Sequence, residues 1–148
     1  MKEYKSTISE YSLKYTKSEI QKTKITTSES ASNVIRQFYF DDINIYESFF
    51  ILLLNRANNT TGFAKISQGG TAGTVVDIKI IAKYAVESLS SAVIICHNHP
   101  SGNIKPSEAD INITKKIKDA LLLLDISLTD HIILSENNYY SFADNGDL

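Results

Sequence analysis

The chain has 148 residues, of which 43% are hydrophobic and 22% are charged, so it suits one globular domain whose core needs no disulfide or metal. Its net charge of −2 argues against a protein built mainly to bind phosphate backbones, and no apolar run approaches the ~20 residues of a transmembrane helix. Because the N-terminal residues lack the apolar centre of a secretory signal and the single cysteine has no partner for an internal disulfide, we expect a cytoplasmic protein.

The first 26 residues differ in composition from the rest of the chain. They are rich in Lys, Ser, Thr and Tyr and have little apolar periodicity, which predicts an N-terminal arm or an edge segment. Residues 1–37 carry seven Lys or Arg against four Glu, whereas the remainder carries eight against thirteen acidic residues. A basic segment of this kind can contact nucleic acid or an acidic partner, and a solvated arm is the simpler interpretation.

The folded domain is predicted to cover residues 27–148. It begins in "TTSESASNVIRQFYF", where Thr or Ser caps a helix that places Val34, Ile35 and Phe38 on one face. Residues 47–55, "ESFFILLLN", are apolar at nearly every position, which predicts a strand buried on both faces. "RANNTTG" is typical of a hairpin loop, and "FAKISQGG" predicts the next strand.

The second half of the chain alternates helical and extended patterns. "VDIKIIAKYAVESLS" predicts a helix capped by Asp77, and residues 92–96, "AVIIC", predict a short buried strand. "PSEADINITKKIKDALLLL" predicts a helix with Ser107 as its N-cap and Asp110 in a capping box. "ISLTDHIILSE" and "YYSFAD" predict two closing strands around a turn at "NN". The class is therefore a mixed α/β sheet flanked by helices, without a clean βαβ repeat.

The stretch "VIICHNHPSGNIKPSEAD" holds two of the three histidines, the cysteine and both prolines. Residues two apart on a strand point to the same side, so His97 and His99 are predicted to share one face at a strand end that Pro100 terminates. Asp110 lies in the first turn of the helix that follows. Two imidazoles and one carboxylate can converge at zinc–ligand distances of about 2.0–2.2 Å and leave a fourth position open, as in catalytic zinc sites.

Each of these residues also has a structural interpretation. A histidine at a strand end is often only hydrogen-bonded, a first-turn aspartate often only caps, and Ser107 can be the cap alone. The spacing is not the HExxH zinc pattern, so the residues leave the reaction open. His131, after Asp130, can compete for the metal, although a ring oriented by the neighbouring carboxylate is the commoner use. Cys96 is predicted to point to the opposite face as a small core residue.

The block "HNHPSGNIKPSEAD" resembles the JAMM motif (His-x-His-x10-Asp) of MPN+ metallopeptidases. "HNHPSG", "KPSEAD", "DHIIL" and "YYSFAD" together resemble the bacterial RadC-like branch, from about residue 28 to the C-terminus. The resemblance implies the MPN/JAB fold, a cytidine-deaminase-like mixed β-sheet flanked by helices. The longer family members carry an N-terminal helix-hairpin-helix DNA-binding domain, which residues 1–26 do not resemble, so we expect a short form without it.

The resemblance also implies a role for each matching residue. His97, His99 and Asp110 match the zinc ligands, and Ser107 matches the serine that stabilises the oxyanion. Glu47, at the start of the strand "ESFFILLLN", matches the glutamate that acts as general base, with Glu87 as the alternative.

Two functions follow from this resemblance. The first is a zinc-dependent hydrolase that cleaves an amide bond of a peptide or protein substrate. The alternative is a non-catalytic or DNA-associated module whose metal serves stability or partner binding; it would show four protein ligands and no open position.

Overall fold

The computed structural model describes residues 7–12, 14–39, 41–70 and 74–148. Helices and strands alternate as the sequence predicts. In chain order the elements are α1 (Ser28–Arg36), β1 (Ser48–Leu54), β2 (Thr60–Gln68), α2 (Ile78–Glu87), β3 (Ala92–Asn98), α3 (Glu108–Leu122), β4 (Ser127–Leu134) and β5 (Tyr139–Ser141). No helix within these ranges is long and apolar enough to cross a membrane.

The strands form one mixed sheet in the order β2-β1-β3-β4-β5. Strand β1 pairs antiparallel with β2 and β3, β3 and β4 run parallel, and β4 pairs antiparallel with β5. Helix α3 connects the two parallel strands, so β3, α3 and β4 form a βαβ unit. The predicted class, a mixed α/β sheet with helices, is confirmed.

Two apolar cores lie on opposite faces of the sheet. Alternate residues of β1 divide between them: Phe50 and Leu52 join the core under α1, whereas Phe49 and Ile51 join the core under α2 and α3. Every residue of β1 and of β3 is buried. The prediction of a strand buried on both faces is confirmed, because helices cover each side of these central strands.

Several predicted boundaries are shifted; strand β5, for example, ends at Ser141 and not at residue 144. Strand β2 begins at Thr60 and not at residue 63, because the hairpin loop is complete by Asn59; the Asn55 side chain accepts hydrogen bonds from the backbone N–H groups of Ala57 and Asn59. Strand β3 continues two residues beyond 96. Helix α1 ends at residue 36, before Phe38, and residue 40 of that predicted segment lies outside the described residues.

The last residues of the N-terminal segment contact the β1–β2 hairpin. Lys24 forms an isolated antiparallel bridge with Asn59, and the Ile25 N–H donates to the carbonyl oxygen of Asn58 (2.8 Å). The described residues of 7–19 are exposed and belong to no helix or strand. Residues 1–6 and 13 of the predicted arm lie outside the described residues. The domain boundary at residue 26 stays a prediction.

Candidate metal centre

The end of β3 brings two histidines together on the face that α2 and α3 cover. His97 lies on the same side of the strand as Val93 and Ile95, is 2% exposed, and stacks on the Phe49 ring (centroids 5.8 Å apart). His99 follows the strand and is held by its backbone N–H, which donates to the Leu134 carbonyl oxygen (2.9 Å). The two Nε2 atoms are 3.0 Å apart. The shared face at the end of the strand is as predicted, and His97 is deeply buried there.

The capping box of α3 directs a carboxylate at both imidazoles. The Ser107 N–H donates to Asp110 Oδ2 (2.9 Å), and the Asp110 N–H donates to Ser107 Oγ (3.0 Å). Asp110 Oδ1 then lies 3.2 Å from His97 Nε2, and Oδ2 lies 3.2 Å from His99 Nε2. Capping and metal binding are therefore compatible uses of this aspartate, because the cap fixes the side chain in the orientation that faces the histidines.

Glu47 reaches the same histidines from the residue before β1. Its Oε1 is 3.8 Å from His99 Nε2, and ligand atoms of Glu47, His97 and His99 all lie within 4.8 Å of one another. Glu87 ends α2, whose chain runs on to the start of β3, so it lies at the other end of that strand from His97. Of the two glutamates that were candidates for the general base, Glu47 is the one that lies beside the histidines.

Asn98, between the two histidines, holds the segment that carries Glu47. Its Oδ1 accepts from the Ser48 N–H (2.8 Å), and its Nδ2 donates to the carbonyl oxygens of Ile43 and Tyr46 (2.7 Å each). The side chain is fully buried, on the opposite face of β3 from His97. Sequence analysis did not assign this residue a role, although its place inside the His-x-His motif was a signal.

A second group, His131 and Thr114, lies behind His97; sequence analysis expected His131 to stand outside the metal ligands, but it did not identify Thr114. His97 Nδ1 is 2.8 Å from His131 Nε2, and His131 Nδ1 is 2.6 Å from Thr114 Oγ1. Thr114 Oγ1 also donates to the backbone carbonyl oxygen of Asp110 (2.6 Å). The expectation that Asp130 orients the His131 ring is wrong: its carboxylate instead accepts from the Ser141 hydroxyl and from backbone N–H groups, including that of His131.

These contacts fix which nitrogen of His97 carries its hydrogen. A carbonyl oxygen only accepts, so the Thr114 hydroxyl must donate to Asp110 and accept from His131 Nδ1–H. Burial lowers the pKa of His131 well below its ordinary value, so this ring is neutral and its Nε2 accepts from His97 Nδ1–H. The lone pair of His97 Nε2 therefore faces Asp110.

The second imidazole is fixed in the same way. His99 Nδ1 donates to the Asn103 carbonyl oxygen (2.7 Å), which leaves the Nε2 lone pair of a neutral ring pointing at His97 Nε2. Two imine nitrogens and two carboxylate oxygens then converge, and all four are acceptors. Such a cluster needs a cation at its centre, so the donor set fits a metal ion.

The pKa shifts of Asp110 and His99 describe the same cluster without a metal ion, when a proton supplies the positive charge. Burial raises the pKa of Asp110, but hydrogen bonds from His97 and His99 outweigh burial and hold that pKa below its ordinary value. The hydrogen bond with Asp110 raises the pKa of His99 above 6.5, against the opposing effect of burial. A metal ion would therefore compete with a proton for this site.

Cys96 takes no part in the site. It lies on the α1 face of β3, is fully buried, and burial raises the pKa of its thiol. The prediction of a small core residue on the opposite face is confirmed.

The fold and this group of side chains define an α/β domain of the JAB type with a candidate metal centre. A family model described as "RadC-like JAB domain" matches residues 25–147, and the chain belongs to that family.

Relatives named "UPF0758 protein" come from several bacteria. The chain is 43% identical over 123 residues to the one from Flavobacterium johnsoniae, covering 83% of this chain and 53% of the relative. It is 39% identical over 127 residues to that of Porphyromonas gingivalis (85% and 55%) and 34% identical over 127 residues to that of Shewanella amazonensis (86% and 56%). The chain thus spans about half the length of these relatives.

Proposed function

We propose that this domain is a zinc-dependent hydrolase of the JAMM type that cleaves an amide bond. One observation carries the proposal: the Nε2 atoms of His97 and His99 and the carboxylate oxygens of Asp110 converge at separations of 3.0–3.2 Å, and with both rings neutral all four atoms are acceptors. Membership of the RadC-like JAB family supports it, because the block at 97–110 that resembles the JAMM motif of MPN+ metallopeptidases lies within the matched residues 25–147.

Zinc suits the spacing of these atoms. Ligands 2.0–2.1 Å from a tetrahedral zinc ion are about 3.3–3.4 Å from one another. His97 Nε2 and His99 Nε2 are 3.0 Å apart, and each lies 3.2 Å from a different carboxylate oxygen of Asp110, so each separation is close to that value. The distance of 3.8 Å between Glu47 Oε1 and His99 Nε2 is longer. This favours a Glu47 that lies beside the open fourth position of the metal and is not itself a ligand.

When bound, zinc would supply Lewis-acid polarisation of the scissile carbonyl and would make water more acidic. Glu47 would take a proton from the attacking water on its carboxylate and pass it to the leaving amine. The Ser107 Oγ accepts the capping bond from Asp110, and no acceptor among the described residues takes its hydroxyl hydrogen. That exposed hydroxyl would therefore donate to the developing oxyanion.

The experiment compares two glutamate variants of the zinc-loaded protein. Elemental analysis should give about one zinc per chain, lost in the His97→Ala/His99→Ala double variant. A peptide-library screen with a chelator control then identifies a cleavable bond. With that substrate, Glu47→Gln should keep zinc and lose about 10²–10⁴-fold in turnover, the usual contribution of a positioned base.

Glu87→Gln is the matched control, because this exposed glutamate ends α2 and lies away from the histidines. It should keep both zinc and turnover. Normal turnover in Glu47→Gln would refute the mechanism, and a zinc-loaded protein that cleaves no peptide would favour a metal kept for stability or for partner binding.

A further inference from the structure

The contacts around His97 form a closed ring that joins three elements of the fold. The ring passes from His97 on β3 to His131 on β4, to Thr114 on α3, and to the backbone of Asp110 one turn earlier. The side chain of Asp110 closes it, 3.2 Å from His97 Nε2. Two candidate ligands of one metal are thus connected through two side chains that do not face the metal position.

We propose that Thr114 is a positioning residue for the metal centre, which acts through His131 to fix the tautomer and orientation of His97. This inference rests on the proposed metal site. The Thr114 hydroxyl is the one group in the ring with a fixed direction of donation, because the Asp110 carbonyl oxygen can only accept. The directions of the other two hydrogen bonds, from His131 to Thr114 and from His97 to His131, follow from this donation.

Burial makes this arrangement effective. Thr114 is 2% exposed and His131 is fully buried, with its ring stacked on Phe142 (centroids 4.6 Å apart, planes 10° apart). Water therefore has little access to replace a missing partner, and the packed His131 ring cannot turn freely to find another. If the Thr114 hydroxyl is removed, His131 Nδ1–H loses its acceptor. The tautomer of His131 with its hydrogen on Nε2 then becomes as favourable as the tautomer with its hydrogen on Nδ1.

The opposite tautomer would harm metal binding. His131 Nε2–H would then donate to His97 Nδ1 and leave the hydrogen of His97 on Nε2, which faces Asp110. A protonated Nε2 cannot bind a metal. Loss of an outer hydrogen-bond partner of a ligating histidine typically weakens metal binding about 10–100-fold.

The test compares Thr114→Val with Thr114→Ser. Valine keeps the shape and removes the hydroxyl, whereas serine keeps the hydroxyl and removes the methyl group. We expect zinc affinity, measured by competition with a chromophoric chelator at fixed pH, to fall about 10–100-fold in Thr114→Val and to stay within about threefold of the parent in Thr114→Ser. A packing role for the methyl group would give the reverse order.

Thr60→Val is the matched control. Thr60 is also buried and its hydroxyl accepts from the Thr23 N–H, but it pairs with Leu54 at the end of β1 away from Phe49 and His97. Its zinc affinity should equal that of the parent. If Thr114→Val does not fold, Thr114→Ala takes its place in the same comparison.

A second readout needs no metal. Nitrogen-15 NMR of the histidine rings in the zinc-free protein should show His97 and His131 protonated at Nδ1, and a mixture of tautomers in Thr114→Val. Unchanged zinc affinity and unchanged tautomers in that variant would overturn the inference and leave the metal site standing. A parent protein that binds no zinc would instead overturn the proposed function. In that case the histidine tautomers measured by NMR would by themselves show whether Thr114 fixes the tautomer of His97.

Discussion

Replacing Asn98 with leucine keeps the size of the side chain and removes all three of its hydrogen bonds. The Ser48 N–H, itself buried, loses its acceptor, and the carbonyl oxygens of Ile43 and Tyr46 lose their donor. A buried polar group left without a partner costs about 1–3 kcal/mol. The two carbonyls belong to a partly exposed segment, where water can replace the donor, so the Ser48 N–H dominates.

We therefore expect Asn98→Leu to lower the free energy of unfolding by about 2–4 kcal/mol. A domain of this size has about 5–15 kcal/mol of stability, so the variant should still fold. Urea denaturation followed by circular dichroism measures the change. Asn112→Leu, on the exposed side of α3, is the matched control and should shift stability by no more than about 0.5 kcal/mol.

The same variant should separate metal binding from the placement of Glu47. Asn98 holds the backbone on both sides of Glu47 but is not a candidate ligand, so zinc stoichiometry should be retained while hydrogen exchange at the Ser48 amide becomes faster. A loss of stability below about 0.5 kcal/mol, with unchanged exchange at Ser48, would show that the three hydrogen bonds do not hold this segment.

Two further predictions concern the metal and Asp130, whose carboxylate on β4 accepts hydrogen bonds from Ser141 and Ala143 near the C-terminus. Chelation should lower the thermal midpoint but leave a cooperative transition, because both apolar cores extend well beyond the residues of the site; complete loss of the folded signal would contradict this. Asp130→Ala should cost about 2–4 kcal/mol in urea denaturation and Asp130→Asn less, since an amide oxygen can still accept from the N–H groups of His131 and Ala143. Burial raises the pKa of Asp130 in the folded protein. The contribution of Asp130 to the free energy of unfolding should therefore fall as the pH rises from about 3.9, the pKa in the unfolded chain, towards the pKa in the folded protein. Asp130→Asn should not show that fall.

The parts of the fold that follow from local rules were predictable from the sequence. Strand alternation placed His97 and His99 on one face and Cys96 on the other. The capping pattern placed Ser107 and Asp110 at the start of α3, which is how the structure has them. Both rules depend only on neighbours a few residues apart, so a single sequence carries enough information for them.

The unpredicted features depend on residues that are distant in the chain. Asn98 bonds to Ser48 across 50 residues, and His97 contacts His131 across 34. Asp130, beside His131 in sequence, was expected to orient its ring, but a strand sends adjacent side chains to opposite faces, and Thr114 from the covering helix takes that place. The start of β2 was missed because Thr60–Gly62 have a loop-like composition and pair through their backbone.

The alternation of side chains along β3 constrains how this strand can change in length. Deleting one residue from 92–96 would shift the strand register and turn His97 and His99 towards the α1 core, while Asn98 would turn towards α3. Both neighbouring strands would also lose their pairing with the shifted residues. An insertion in the exposed turn at 136–138 would leave that register intact. Natural variation in length should therefore concentrate in turns such as this one and be absent from β3.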